Sequence, residues 1–281
     1  MRRAGVYLWH SVVCLATLAL VLAAFWAVSF ARSVYQVRDA ERLLSELRSV
    51  PVGAAGFARV QQLANNFGAV KHCSNDSCRY NFENGFGYTD TGVMVMLRRT
   101  EWDYFRLRPW KITAVIQTAN GEVTDIELLA VVGHGRGRLY NQGFLLGNMW
   151  AWSAVSVVVN SGRFDSRVSL AKRTNRESGT GTGNQIEPGA DGILVQKPAF
   201  DTPGGGQILD VYLSPATLDN RAVGFNVNLR CATAVLPCME LCQLAPSAWH
   251  WYSQYQKSNG WWVEEVSGLC PSLTGDKSPF R

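Results

Sequence analysis

The sequence contains few of the residues and motifs from which most enzyme active sites are built. Only four of its 281 residues are histidine, and it has no Gly-x-Ser-x-Gly, His-Glu-x-x-His or Walker A string. Charged residues are scarce as well, at 17% of the chain, and no internal repeat is visible. These absences weigh against an enzyme without excluding one, and the sequence predicts no catalytic residue, no metal site and no cofactor.

Composition excludes several further classes of protein. Hydrophobic residues make up 47% of the chain, which is too many for a wholly disordered protein. Neither a collagen-like repeat nor the several apolar spans of a multi-span transporter are present. What remains is one apolar segment near the N-terminus and about 250 further residues, enough for one large domain or two small ones.

The apolar segment is long enough to cross a membrane. Residues 4–31 include no Asp, Glu, Lys or Arg, and a helix needs about 20 apolar residues to span the hydrocarbon core. We therefore expect contact with the lipid bilayer through residues 6–30. A cleaved signal peptide is the alternative, because Ser29-Phe30-Ala31 is an acceptable cleavage site. The apolar region is longer than that of a signal peptide, however, which favours an uncleaved signal-anchor.

The cysteines indicate the compartment. Six of the seven lie outside the apolar segment, which holds Cys14. An even number predicts three disulfides and an oxidising environment. Cys73 and Cys78 enclose a turn-rich Ser-Asn-Asp-Ser loop and are the expected pair. Two bridges then join the other four, whose pairing the sequence does not give. The predicted disulfide residues are Cys73, Cys78, Cys231, Cys238, Cys242 and Cys270.

Two alternatives to disulfides stay open. Cys73 and Cys78, with His72 alongside, have the spacing of half a zinc site, or the cysteines are inert buried thiols. Arginines lie on both sides of the apolar segment, so the positive-inside rule does not decide the orientation. The predicted disulfides indicate the orientation instead. They favour a single-pass protein of the cell inner membrane, with a cytoplasmic N-terminus and a periplasmic, extracytoplasmic domain.

Helical patterns come first along the chain, and strand patterns follow. Residues 1–31 are a cytoplasmic tail and transmembrane helix, and residues 32–68 have the apolar spacing of two juxtamembrane helices separated at Pro51. Residues 69–281 form an extracytoplasmic α+β domain with a mostly antiparallel sheet, in which 174–206 is mostly flexible loop. The Asn120-Gly121 pair predicts a hairpin turn.

The remaining element predictions rest on alternation and helical spacing. A short helix is predicted at 215–221 and a helical, Trp-rich segment at 236–255. Residues 91–98 are predicted to be a strand or a short buried segment, and residues 261–266 a strand or a packed loop. Further strands are predicted at 79–83, 111–118, 122–132, 153–160, 167–171, 193–196, 207–213 and 224–230.

Two resemblances support this organisation. The strings Cys73-x4-Cys78-Arg-Tyr and Phe-Asn-Val-Asn-Leu-Arg-Cys at 225–231, placed around the Asn-Gly hairpin, are similar to those of a family of uncharacterised bacterial single-pass membrane-anchored proteins. That resemblance covers most of the chain and implies no activity. Residues 49–132 also resemble the SmpA/OmlA small-lipoprotein domain, which has two short helices before a small antiparallel sheet and serves in envelope protein assembly. This chain lacks that domain's lipid-carrying cysteine.

The string Gly133-His134-Gly135-Arg136-Gly137-Arg138 is the best candidate for an anion site. Glycines let the backbone approach a ligand, and arginines bind phosphate or carboxylate. The alternative is a flexible loop with solvated arginines, and no βαβ unit surrounds the string to make it a dinucleotide fingerprint. The candidate ligand-binding residues here are His134, Arg136 and Arg138.

Aromatic residues are crowded near the C-terminus. Their rings could stack on sugars of the cell wall, although such residues more often pack in a core or an interface. A basic and aromatic stretch at 98–111 fits lipid headgroups or a solvated surface. The residues after 31 carry 25 basic and 22 acidic side chains, too balanced for a nucleic-acid partner. The candidate sugar-binding residues are Trp249, Trp251, Trp261 and Trp262.

Two hypotheses of function follow. The first is a membrane-anchored extracytoplasmic interaction or assembly module whose partner is an envelope protein or a cell-wall component. The second is an extracytoplasmic enzyme or binding protein for cell-wall glycans. A pocket with a perturbed carboxylate or histidine favours the second hypothesis. An exposed apolar groove or an open sheet edge without such a group favours the first. A sensor ectodomain is less expected, because little sequence precedes the apolar segment to relay a signal.

Overall fold

A computed structural model describes residues 2–86, 108, 110–141, 144–160, 193–196, 207–213, 218–234, 238 and 240–258. Within these residues the protein consists of one long helix, a seven-stranded sheet and several short helices. The predicted α+β class is confirmed. The strands predicted at 91–98, 167–171 and 261–266 lie outside the described residues.

Helix α1, Arg2–Ser49, has two halves with opposite surroundings. In the first half the large apolar side chains are exposed, with Leu15 at 67% and Leu20 at 71%. This is the one helix, in the part of the chain that the structure describes, long and apolar enough to cross a membrane. From Ser33 onward the helix turns one face into the protein core, where Ala40 and Leu47 are fully buried. The two juxtamembrane helices predicted at 32–68 are therefore the end of α1 and a second helix.

A tight junction links α1 to the sheet. Pro51 follows α1, and a 3-10 turn at Ala54–Gly56 leads into α2, Phe57–Phe67. The Gly53 N–H donates to the Val123 carbonyl at 2.8 Å, and the Val123 N–H returns a bond to Gly53 at 3.1 Å. Gly56 has no room for a side chain, because a Cβ atom there would lie 1.9 Å from the Pro51 carbonyl oxygen.

The sheet has the strand order β1-β2-β3-β4-β5-β7-β6, and all neighbours are antiparallel except β5 and β7. The predicted Asn120-Gly121 hairpin is confirmed, with φ of 53° and 76° at the two turn residues, as a type I′ turn requires. The strands are β1 Val70–Ser74, β2 Ser77–Phe86, β3 Trp110–Ala119, β4 Glu122–Asn141, β5 Phe144–Asn160, β6 Ile193–Gln196 and β7 Gln207–Leu213.

One face of the sheet packs against α1 and forms the core. Every second residue of the central strands is buried there, because successive side chains of a strand point to opposite faces. Side chains from α1 and α2 and from the short C-terminal helices complete the core. The largest fully buried side chains of the sheet are Tyr80, Phe82, Trp110, Ile112, Ile116, Ile126, Leu128, Leu209 and Leu213.

The C-terminal part is helical, as predicted, but in short pieces. These are α3 Leu218–Gly224, a 3-10 turn Leu229–Ala232, α4 Leu241–Leu244 and α5 Pro246–Ser258. The strand predicted at 224–230 is wrong. Phe225, Val227 and Leu229 are buried in alternation as expected, yet the segment forms no ladder with another strand. The alternation therefore reflects burial and not strand pairing.

Candidate functional site

The disulfides are consistent with the compartment that the sequence predicts. Cys73 and Cys78 are bonded, as expected, with Cα atoms 4.1 Å apart, so their sulfurs are not free for zinc. Cys231 is bonded to Cys238 across 5.2 Å between Cα atoms. Cys242 is also disulfide-bonded. Cys270 lies outside the described residues, and Cys14 is a free thiol on the exposed face of α1.

The glycine-rich string at 133–138 is not a loop, which corrects the sequence interpretation. It continues β4, and the ladder to β5 shifts register between Gly133 and Arg136, where an extra residue forms a bulge. Arg136 is opposite Trp150 and Arg138 is opposite Asn148 on β5. Repeated glycine interrupts the side-chain alternation by which strands are recognised, so the pattern concealed this one. Ligand binding by His134, Arg136 and Arg138 stays a prediction.

Of the four tryptophans predicted to bind sugars, the structure describes two. Trp249 and Trp251 lie on α5, where both are half-buried and pack against the core. The Trp249 ring also lies 5.4 Å from the Tyr252 ring between centroids. These contacts indicate a packing role for the two residues. Trp261 and Trp262 lie outside the described residues.

Strand β1 forms one edge of the sheet and is exposed along its whole length. The short Cα separation of Cys73 and Cys78 is typical of a pair without mutual backbone hydrogen bonds, for which about 4.5 Å is usual. Antiparallel pairs alternate, so Lys71 opposite Tyr80 is also such a pair, and His72 opposite Arg79 is the bonded one. The N–H and C=O groups of Lys71 and Cys73 therefore point away from β2, toward the open edge.

The surroundings of this edge are basic. Lys71, His72 and Arg79 are all exposed. The Lys71 ammonium lies 5.5 Å from the centroid of the Tyr80 ring, and the Arg79 Nε donates to the Asn81 Oδ1 at 3.2 Å. One exposed acid, Asp76, lies in the β1–β2 turn, and Glu83 further along β2 is paired with Lys111 at 3.2 Å. The edge thus combines backbone groups that pair with no strand in the described part of the chain and an excess of positive charge.

The β1–β2 turn is held in place from the neighbouring hairpin. Asn75 has a φ of 52°, a conformation that asparagine adopts more readily than most residues. The Asn120 N–H of the β3–β4 turn donates to the Asp76 carbonyl at 2.9 Å. Together with the Cys73–Cys78 bond, this contact fixes β1 against the sheet and presents its edge in a defined shape.

A pair of acids lies on the sheet face opposite the core. Asp125 and Glu127 are two residues apart on β4, and Asp125 is in register with Gln117 of β3. Burial raises the pKa of Asp125 to about 7, with further contributions from the charge of Glu127 and from a hydrogen bond between the two carboxyl groups. Sequence reasoning missed this pair, although the alternation of Asp125, Ile126 and Glu127 after the hairpin turn places both acids on the polar face.

The two carboxyl groups lie on the same face of β4, near enough for the charge of Glu127 to raise the pKa of Asp125. Among the residues whose positions are described, no group of three His, Cys, Asp or Glu side chains is arranged to hold a metal ion.

Comparison of the chain with protein-family models, curated proteins and solved structures gave no match. The fold and the site themselves define the class: an α+β protein with one apolar N-terminal helix, disulfides and an exposed basic sheet edge.

Proposed function

We propose that the protein is a membrane-anchored, extracytoplasmic interaction module that binds an extended acidic segment of a partner protein by adding it to the β1 edge. The observation that carries the proposal is the edge itself, a strand exposed at every residue whose outward backbone groups pair with no other strand that the structure describes. An added strand satisfies those groups, and its alternate side chains provide specificity. An envelope protein is the partner class that this location favours.

The anchor and the compartment support the proposal. Helix α1 is apolar and exposed in its first half and is compatible with a single membrane span. Disulfides persist mainly in oxidising compartments, which favours a domain outside the cytoplasm. Inner-membrane location and a cytoplasmic N-terminus are part of the proposal.

The position of the edge suits a partner that approaches from the aqueous side. Trp110, which contacts Ser33 of α1, is opposite Phe86 at the end of β2 nearest the apolar helix. Strand β1 pairs with residues 77–81, which lie at the opposite end of β2, five or more residues from Phe86. At about 3.4 Å per residue, β1 begins about 17 Å from the end of the sheet at which α1 enters the membrane.

Charge favours an acidic occupant over a second copy of this chain. Two copies joined edge to edge would bring the Lys71 side chains of both copies to the same interface, and like charges at close range are destabilising. An extended segment with alternating acidic side chains instead places carboxylates near Lys71, His72 and Arg79.

Amide exchange of the full chain in lipid nanodiscs, followed by NMR, tests the proposal. The probe is a capped peptide of alternating glutamate and valine, and the control peptide alternates lysine and valine. We expect the acidic peptide to slow exchange of the Lys71 and Cys73 amides several-fold. The His72 amide is already bonded to β2 and should change little. No added protection at Lys71 and Cys73 would contradict strand addition.

Two variants of Lys71 separate the contribution of its backbone N–H from that of its side-chain charge. Lys71→Pro removes an N–H that bonds to no neighbouring strand, so the edge is blocked while the ladder to β2 is kept. Lys71→Ala keeps the N–H and removes the charge. We expect Lys71→Pro to abolish the protection of Cys73 and Lys71→Ala to weaken it. Equal protection by the lysine peptide would refute the acidic partner.

A further inference from the structure

Strands β4 and β5 continue past the last residues that the structure describes in the neighbouring strands. Val132 on β4 is opposite Trp110, the first residue of β3. Ser153 on β5 is opposite Gln207, the first residue of β7. Residues 133–141 and 144–152 pair with each other beyond those points. The structure describes no other strand beside these residues, and we call the two paired segments the β4–β5 ribbon.

The extension leaves the sheet at the end where α1 enters its apolar half. Gly53, just after α1, pairs with Val123 at the start of β4, and Ser33 meets Trp110, which is opposite Val132. Helix α1 and strand β4 therefore run along the same stretch of the sheet in opposite directions. Following α1 toward its N-terminus leads to the same end as following β4 toward Asn141.

Lengths indicate how far each element reaches from that end. The core extends along α1 to Trp26, which is half-buried and packs against it, about 10 Å beyond Ser33 at 1.5 Å per residue. The nine residues of β4 after Val132 span about 30 Å when extended. The ribbon is thus long enough to pass the level at which α1 becomes apolar and exposed.

The composition of the ribbon matches a membrane interface. It contains no Asp or Glu, and its charged residues are Arg136 and Arg138. Tryptophan, tyrosine and arginine are the residues that concentrate where lipid headgroups meet water. The apolar and aromatic residues of the ribbon are Leu139, Tyr140, Phe144, Leu145, Leu146, Met149, Trp150 and Trp152.

We propose that the β4–β5 ribbon, residues 133–141 and 144–152, is a second membrane contact that lies in the headgroup region of the bilayer beside α1. The ribbon extends toward the level at which α1 becomes apolar, and its arginine, tyrosine and tryptophan residues are of the types that favour the headgroup region. The bulge after Gly133 bends the strand where the ribbon leaves the sheet.

This second contact rests on the proposed function only in that α1 must be the anchor. A single helix leaves a domain free to tilt, whereas two contacts on the bilayer fix its orientation. The basic residues and the absence of acids favour anionic lipid. The anchored domain would then hold the β1 edge at a constant height above the membrane.

Spin-label depth measurements test the inference on the full chain. In a Cys14→Ser background, single labels are placed at Leu145→Cys in the ribbon, Leu15→Cys in the apolar helix and Glu122→Cys beside the β3–β4 turn. The protein is reconstituted in vesicles of phosphatidylcholine with phosphatidylglycerol as the minor component. Collision rates with oxygen, which concentrates in lipid, and with a water-soluble nickel complex report the depth of each label.

We expect the oxygen-to-nickel ratio at Leu145→Cys to exceed that at Glu122→Cys several-fold and to remain below that at Leu15→Cys. A ratio at Leu145→Cys equal to that at Glu122→Cys, with Leu15→Cys deep in lipid, overturns the second contact and leaves the anchor intact. An aqueous label at Leu15→Cys overturns the anchor itself. Protection from both reagents with spin–spin broadening at Leu145→Cys indicates a second copy as the occupant and also overturns the inference.

Discussion

The side chains of Ser33 and Trp110 meet where α1 leaves the sheet. Both residues are fully buried, and the Trp110 indole N–H donates to the Ser33 Oγ at 3.3 Å. Ser33→Ala leaves that N–H buried without its acceptor, which costs about 1–3 kcal/mol of the free energy of unfolding. We expect this loss in denaturant unfolding of the protein in micelles, followed by circular dichroism.

A double-mutant cycle isolates that hydrogen bond from the packing around it. Trp110→Phe removes the N–H and some buried area. In that background Ser33→Ala should cost about 1 kcal/mol less than in the wild type, since no donor remains to be left unpaired. An equal cost of Ser33→Ala in both backgrounds would show that the hydroxyl acts by packing alone.

Asp125 makes the free energy of unfolding fall as pH rises, the opposite of the effect of a carboxyl group whose pKa is lowered by folding. Burial beside Glu127 raises the pKa of Asp125 from its ordinary 3.8 to about 7. Between those values the folded state binds more protons than the unfolded state, so the free energy of unfolding falls as pH rises. The contribution of this group is complete below about pH 4 and is lost as pH rises through 7.

Asp125→Asn replaces the carboxyl group with an uncharged side chain of the same shape. At about pH 8 we expect this variant to be more stable than the wild type by about 1 kcal/mol or more, the equivalent of one pKa unit, and the difference should shrink by about pH 5. Urea unfolding at both pH values measures it, with Glu122→Gln, an exposed acid on the same strand, as control. A difference that does not change with pH would rule out titration of Asp125 as the cause.

Some residue-level features follow from sequence and others do not. The Cys73–Cys78 bond is a local property of a short turn, and it was predictable. The burial of Arg108 and Arg221 was not, because their partners are distant backbone carbonyls. Arg108 donates to the Ala234 carbonyl at 2.7 Å, and Arg221 donates to the Val50 carbonyl just past the end of α1. Such acceptors carry no side-chain signature.

Among the elements, the junction between α1 and β4 leaves no space at Gly56. A Cβ atom there would meet the Pro51 carbonyl oxygen at 1.9 Å and a Val123 methyl group at 2.7 Å. Gly56→Ala must shift backbone that also makes the Gly53–Val123 bridge, and we expect destabilisation of about 1–3 kcal/mol. Thermal unfolding measures it. The control Ala55→Ser, an exposed neighbour in the same turn, should stay within about 0.5 kcal/mol of the wild type.

Element predictions succeeded where a local pattern sets the structure. The β3–β4 hairpin has alternating apolar residues and an Asn-Gly turn in which both residues have positive φ. This local sequence is sufficient to specify the hairpin. Strand β1 escaped prediction because Val70–Ser74 is exposed at every position and so shows no apolar alternation. Residues 225–229 show the converse, since they alternate and are buried without a ladder. Alternation reports burial on one side, and pairing depends on partners elsewhere in the chain.

For the whole molecule, the number of disulfides bears on the compartment, because disulfides persist mainly in oxidising surroundings. Two bridges are defined by their partners, and Cys242 is bonded too. Since Cys14 is free, we expect Cys270 to be the partner of Cys242. Alkylation of the denatured protein should modify one thiol before reduction and seven after it, and peptide mapping of the unreduced protein should recover the Cys242–Cys270 link. Five or more reactive thiols before reduction would contradict an oxidising compartment.

The proposed orientation of the chain in the membrane rests on the same chemistry and is open to a direct test. Arginines flank the apolar segment on both sides, so charge alone does not set the direction. If the domain is extracytoplasmic, Glu122→Cys in a Cys14→Ser background should react with a membrane-impermeant thiol reagent on intact spheroplasts of a bacterial expression host. Arg3→Cys in the same background should react only after the membrane is permeabilised. The reverse pattern would place the domain in the cytoplasm, where the three disulfides and an envelope partner at the β1 edge would both lose their support.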